Sequence, residues 1–279
     1  MPYTLDQMAD LAKNVVERSI AVPGVQPKIS LSLIHDSLTD KNNGRLTAVG
    51  ALGGNYIFKP PSDRYAEMPQ NEHVTMRIAE AFGIKTVPSS LIRMASGELS
   101  YITKRIDRTG LGEKIHMLDM FQVTEAFDKY RSSMEKIGKA LDKHSANTLL
   151  DKLYFFEMTI FSFLTGNNDM HLKNFSMINN NYEWMLSPAY DLLNVTIINP
   201  DDDEEFALTL EGKKKKLKRE HFERFGKGLD LTDRQISGVL KRFAGKRAIA
   251  DEWVQKSFLS DEYKVKYTDL LAERYARIL

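Results

Sequence analysis

Two textures of apolar spacing divide the chain near Asp107. Before it, short alternating runs dominate. Ile29, Leu31 and Leu33 face one way and Ser30 and Ser32 the other, so residues 28–34 read as a half-buried strand. Residues 45–49 and 55–59 read as further strands joined through the Gly-rich turn 50–54. Residues 91–94 and 99–104 read as a hairpin across Ser96-Gly97. Two helices interrupt this pattern. Residues 4–19 carry Leu5, Met8, Leu11, Ala12, Val15 and Val16 on one face, open with a Thr4–Gln7 capping box, and stop before Val22-Pro23-Gly24. Residues 71–82 form the second, with Gly83 as its C-cap.

After Asp107 the spacing predicts helices over 117–127, 132–143 and 147–164. A short polar loop, 165–174, follows the last of these. A small hairpin then pairs 175–178 with 183–186 around a turn at 179–181. From Glu220 onward the pattern is helical again, with helix starts at Leu231-Thr232 and Ser260-Asp261. The expected class is therefore α+β, with a β-rich N-terminal lobe at residues 1–106 and a mainly helical C-terminal lobe at 107–279.

Composition narrows the function classes. The 279 residues suffice for one large domain or two small ones with a sizeable core. Basic and acidic residues nearly balance, at 39 and 38, so no overall field draws the chain to nucleic acid or an acidic membrane. Any such contact needs a local patch. The absence of cysteine excludes disulfides, thiolate metal sites and cysteine nucleophiles, and suits a reducing cytoplasm. Residues 1–20 mix acids and bases and show no apolar signal core. The most apolar stretch, 153–164, is too short for a bilayer and is broken by Glu157 and Thr159, so it reads as a buried helix and no membrane association is expected. His73, His116, His144 and His221 lack metal-ligand spacing.

Three segments carry candidate chemistry. In the strongest, Gly166-Asn167-Asn168-Asp169-Met170-His171-Leu172-Lys173-Asn174-Phe175-Ser176, Asp169 and Asn174 stand five apart. That is the spacing of a kinase catalytic loop, where the Asp receives the acceptor's proton and the Asn coordinates Mg²⁺. Asp191 follows seventeen residues after Asn174, in Ser187-Pro188-Ala189-Tyr190-Asp191, and suits a second oxygen ligand. Each residue taken alone also reads as an ordinary polar turn residue. In the second segment, Lys59 ends the apolar strand Tyr56-Ile57-Phe58. A buried lysine needs a partner, for which Glu72 is the candidate, unless it reaches solvent at the strand end. The third segment is a glycine turn, Pro23-Gly24-Val25-Gln26-Pro27-Lys28, ahead of the first strand. Such a turn can aim backbone N–H groups at phosphate, or it can simply link helix to strand.

Together these segments resemble the HipA-type kinases of bacterial toxin–antitoxin systems. The resemblance runs from Gly24–Lys28 through Ile57–Pro60 and Lys104–Arg108 to Gly166–Ser176 and Leu186–Asp191, most of the chain. It implies a two-lobed protein-kinase-like fold and ATP- and Mg²⁺-dependent phosphorylation of a protein serine or threonine. By motif, Pro23, Gly24, Val25, Gln26, Pro27 and Lys28 would form the phosphate loop, and Lys59 would hold phosphates. Lys104, Arg105 and Ile106 would be the hinge around adenine. Asp169 would be the base, with Asn174 and Asp191 on the metal. His171, Leu172, Lys173 and Tyr190 would line the nucleotide side. The implied target is an aminoacyl-tRNA synthetase, glutamyl- or tryptophanyl-, and the implied partners include a DNA-binding antitoxin.

Two departures from the family pattern shape further expectations. About twenty residues precede the phosphate loop, where the family usually carries an extra subdomain. This resembles the short kinases of split three-component systems, in which a separate small protein supplies that subdomain. The family's phosphorylatable serine falls at Ala21, and the nearest serine is Ser19, which becomes the expected self-phosphorylation site. Finally, Lys213–Lys216 with Lys218 and Arg219 form a basic run just downstream of the acidic run Asp201–Glu205. It reads either as a solvated turn or as a contact for nucleic acid or an acidic partner. Two other functions stay open: a nucleotide-binding partner in a repressor complex without catalysis, and a small-molecule kinase.

Overall fold

The computed structural model describes residues 1, 3–8, 28–35, 44–48 and 54–279. The chain divides into two compact units, Met1–His73 with Val87–Lys114, and Val74–Thr86 with Ile115–Leu279. Each is taken by itself.

The first unit is built on a five-stranded antiparallel sheet in the order β2-β1-β3-β5-β4. Residues 5–8 open a helix (α1), and the Thr4–Gln7 box forms as the pattern predicts: Thr4 N–H donates to Gln7 Oε1 at 2.9 Å and Gln7 N–H to Thr4 Oγ1 at 3.3 Å. Strand β1 (Ile29–His35) pairs with β2 (Gly44–Ala48) on one side and β3 (Tyr56–Lys59) on the other. The alternation of β1 sends Ile29 and Leu31 into a core with Met8, Phe58 and Met94. Strands β4 (Ser89–Arg93) and β5 (Leu99–Lys104) form the expected hairpin. Gly97 turns it at φ +105°, a backbone conformation that favours glycine. Helix α2 (Met68–Phe82) contributes residues to both units.

The second unit is mostly helical. Helix α4 (Met134–His144) is capped by Ser133, and α5 (Thr148–Leu164) follows it. Helix α5 is mostly buried from Asp151 onward, as its apolar run requires. Its Phe155 packs edge-on against Phe175 at 5.2 Å, and its Phe163 lies 5.0 Å from Phe222. Helices α6 (Val195–Ile198), α7 (Arg219–Gly228), α8 (Asp233–Ala244), α9 (Arg247–Lys256) and α10 (Asp261–Ile278) complete the unit. The predicted starts at Thr232 and Ser260 are the N-caps of α8 and α10.

One element corrects the sequence reading. Residues 117–127 are not one helix: Met117–Asp119 is strand β6, and only Met120–Val123 (α3) is helical. Asp119 accepts from Gln122 N–H at 2.9 Å, an N-cap bond that starts the helix there. The residues before it pair with β7 (Ser176–Asn180), a tertiary partner that periodicity cannot reveal. Strand β8 (Glu183–Leu186) completes a three-stranded sheet in the order β6-β7-β8. Among the described residues no helix is long and apolar enough to cross a membrane.

Candidate functional site

The second unit holds the strongest sequence motif, and α5 sets its position. The helix ends at Thr165, and Gly166 takes φ +67°. A Cβ there would collide with Leu270 and come within 2.8 Å of Asn194 Oδ1, so the motif's first residue must be glycine. The Gly166 carbonyl accepts from both Thr196 N–H (3.1 Å) and Thr196 Oγ1 (3.0 Å), which pins the loop to the following segment.

Three asparagines in this loop are buried with polar atoms unmatched. Both side-chain atoms of Asn167, Oδ1 of Asn168 and Oδ1 of Asn174 have no hydrogen-bond partner. Native interiors rarely leave such groups alone. Asn174 closes a short 3₁₀ turn (Leu172–Asn174) capped by His171, and its Nδ2 donates to Asp191 Oδ2 at 3.3 Å. The structure thus brings Asn174 and Asp191 together, with one carboxylate and one unsatisfied amide oxygen in the same place. Asp191 itself sits at φ +58°, a strained conformation of the kind that clusters at functional sites.

Tyr190 braces the two segments. Its hydroxyl donates to the Lys173 carbonyl at 3.0 Å, so the 2.5 Å contact with Ser176 Oγ is one that Ser176 donates. Burial pushes the phenol's pKa above its ordinary value and keeps the proton in place. The Ala189 N–H donates to Lys85 O at 2.7 Å and fixes the approach to Tyr190. Lys173 lays its ammonium 4.9 Å from the Phe121 ring centre. Leu172 is buried, and the ring Nε2 of His171 lies 3.0 Å from Lys129 Nζ.

Asp169 is half-buried and accepts from the Tyr130 hydroxyl at 3.0 Å. Tyr130 is a residue that sequence reasoning missed. It lies in the exposed, non-periodic run Phe127–Arg131, and no spacing rule ties it to a loop 39 residues later. Ser176 was likewise seen only as the motif's last letter.

In the first unit, Lys59 Nζ meets Glu72 Oε1 at 2.6 Å, with side chains only 5% and 2% exposed. The candidate partner is the actual one. The ammonium also lies 5.4 Å from the Tyr101 ring centre. Lys104 is exposed, while Arg105 and Ile106 are half-buried. The Arg105 guanidinium forks onto Asp107, with Nε–Oδ1 at 2.8 Å and Nη2–Oδ2 at 2.6 Å, and its N–H donates to Asn55 O. Despite the cost of desolvation, those bonds and the Arg108 charge hold the Asp107 carboxyl below its usual range. Lys28 is half-buried just before β1. Ser19, Ala21 and Pro23, Gly24, Val25, Gln26 and Pro27 lie outside the described residues.

Among the described residues no three His, Asp or Glu side chains converge as a metal cage. Mg²⁺ needs fewer protein ligands, since it keeps waters and substrate phosphate oxygens. The Asn174–Asp191 pair fits such an ion.

Comparison with known proteins bears on family and fold. The family model for the HipA-like C-terminal domain covers residues 20–253. A "Putative kinase" of Haemophilus influenzae is 31% identical over 194 residues, which span 64% of this chain and 54% of that protein. The chain spans about half the length of the curated relatives it matches. Among solved structures, HipA of Shewanella oneidensis, determined with HipB and operator DNA, superposes with a TM-score of 0.75 at 21% identity. That match covers 95% of this chain and 70% of HipA. The Helicobacter pylori proinflammatory kinase CtkA gives 0.63 at 16% identity, covering 89% and 93%. These two likenesses establish a kinase-like fold. With the family model matched across most of its length, the chain belongs to the family of HipA-like C-terminal domains.

Proposed function

We propose that this chain is a toxin-type protein serine/threonine kinase that uses ATP and Mg²⁺. The observation that carries the reading is the buried Asn174 Oδ1, left without a partner beside the Asp191 carboxylate. An unmatched buried acceptor costs roughly 1–3 kcal/mol, a penalty that a hard cation removes. Asn174 and Asp191 would hold Mg²⁺, which when bound neutralises charge on phosphate oxygens.

The chain's own residues then do the rest. Asp169 orients the acceptor hydroxyl and receives its proton as the oxygen bonds to the γ-phosphorus and the bond from that phosphorus to the ADP oxygen breaks. Lys59, held by Glu72, and the backbone of 23–28 steady the phosphates. Lys104, Arg105 and Ile106 border the base. His171, Leu172, Lys173 and Tyr190 shape the nucleotide side, with Tyr190 as the strut that keeps Asp191 against the loop.

The acceptor is a protein, and the family resemblance points to a glutamyl- or tryptophanyl-tRNA synthetase, so phosphorylation would block translation. The Shewanella HipA structure is of an assembly with HipB and operator DNA. By likeness, this chain works in the cytoplasm with a DNA-binding antitoxin. Ser19 phosphorylation would place negative charge beside the phosphate loop and act as a brake.

The test is incubation with labelled ATP and bacterial lysate, with and without Mg²⁺, followed by identification of the labelled protein. One serine- or threonine-labelled band that disappears in Asp169→Asn supports the reading. Equal labelling by that variant overturns it.

A further inference from the structure

The carboxylate assigned as the base is already in use. Tyr130 donates its O–H to Asp169 Oδ1 at 3.0 Å, the kind of bond an acceptor hydroxyl has to make. Burial, and next the Asp169 charge, push the phenol's pKa upward, so it remains a donor.

The residues around Tyr130 aim it without burying it. Its ring stands edge-on to His171 at 5.1 Å, and the Lys129 ammonium lies 4.7 Å from its centre. The Tyr130 N–H donates to Asp128 Oδ1 at 2.8 Å, and Leu172 N–H donates to Lys129 O at 3.2 Å. The segment is thereby tied to the catalytic loop itself. Yet Tyr130 is 37% exposed, and its neighbours Phe127 and Arg131 are almost fully so. One side of the ring therefore stays open to solvent.

We propose that Tyr130 is a gate on Asp169, standing in for the acceptor hydroxyl and suppressing transfer to water until a protein acceptor displaces it. The inference rests on the proposed kinase function. In the reaction it suppresses, a water oxygen bonds to the γ-phosphorus, the bond from that phosphorus to the ADP oxygen breaks, and the water's proton passes to Asp169. Water that displaces Tyr130 only exchanges one hydrogen bond for another and gains nothing further. A protein surface does, because it can engage the exposed side chains beside it.

Tyr130→Phe removes only the O–H and keeps the ring contacts. The probes are MgATP alone and MgATP with dephosphorylated casein, whose serines are exposed. Without acceptor, ADP release by the variant should rise about tenfold, the factor set by losing one charge-assisted hydrogen bond. MgATP affinity should stay unchanged, and KM for casein should fall while kcat holds. Unchanged or lower ADP release in the variant overturns the gate, as does mass-spectrometric detection of phosphate on Tyr130, which would make it an acceptor. A parent protein that fails to bind MgATP overturns the kinase function as well. Parent turnover with an indistinguishable variant overturns the gate alone.

Discussion

The loop at 165–176 and the charged stretches at 201–205 and 213–219 are both polar connections, and they treat their polar groups in opposite ways. In the charged stretches, cation meets anion at the surface: Lys215 with Asp203 at 2.6 Å, Lys214 with Glu204 at 3.0 Å, Arg219 with Glu223 at 2.8 Å. The one buried acid there, Glu205, accepts from Leu217 N–H and is paired with Arg274 and Arg277. The loop carries less charge but leaves four asparagine atoms buried without partners. If the proposed site is right, charge density is a poor guide to where chemistry lies. Unmet hydrogen-bonding capacity held in a rigid backbone is a better one.

The strongest way to break this comparison is at the loop itself. Asp169→Asn or Asp191→Asn should cut phosphoryl transfer by roughly 10²–10⁴-fold, the usual cost of a misplaced base or its equivalent. Thermal unfolding should shift little, because Asp169 is only half-buried. Near-parent transfer in either variant would make the loop as inert as the charged stretches.

Next in size is the buried ion pair. Lys59→Met takes from the buried Glu72 carboxylate its 2.6 Å partner, which should cost about 3–5 kcal/mol in denaturant unfolding. The double variant Lys59→Met/Glu72→Leu should recover most of that stability but no activity. Recovery of both would show the pair to be structural only.

The residues of the candidate site differ in how legible they were. Lys59 with Glu72, and Asp169 with Asn174, could be named because their spacing or burial cost is local. The strand alternation around Ile29 and Leu31 and the caps at Thr232 and Ser260 were readable for the same reason. Tyr130 was not, since its meaning arises only when the loop folds back onto it. Residues 117–119 misled because their apolar spacing fits a helix, and only pairing with β7 makes them a strand. The unmatched atoms of Asn167 and Asn168 could not be foreseen, as burial of a single asparagine has no sequence signature.

Gly166 tests whether the loop's rigidity matters apart from its acids. Gly166→Ala must hold φ +67° and push against Leu270 and Asn194. The expected loss is at least ~2 kcal/mol of stability, from strain and overpacking together. Activity should fall further than stability predicts, because Asp169 and Asn174 hang from that turn. Equal activity per folded molecule would separate the turn from the site.

The smallest effect is expected in the charged stretches. The Lys215 hydrogen bond lowers the Asp203 pKa, and Asp203 in turn raises that of Lys215, but both side chains are solvated. Such pairs gain little, and salt screens them. Lys214→Ala/Lys215→Ala should therefore leave Tm and phosphoryl transfer where they were. Binding to a random DNA duplex should also be unchanged across a salt titration, since the ammonium groups already face Glu204 and Asp203. A shallower salt dependence in the double variant would mean that these lysines release their acids to meet phosphates. The basic run would then be a second functional region whose groups are satisfied at rest, and the rule drawn from the loop would fail for it.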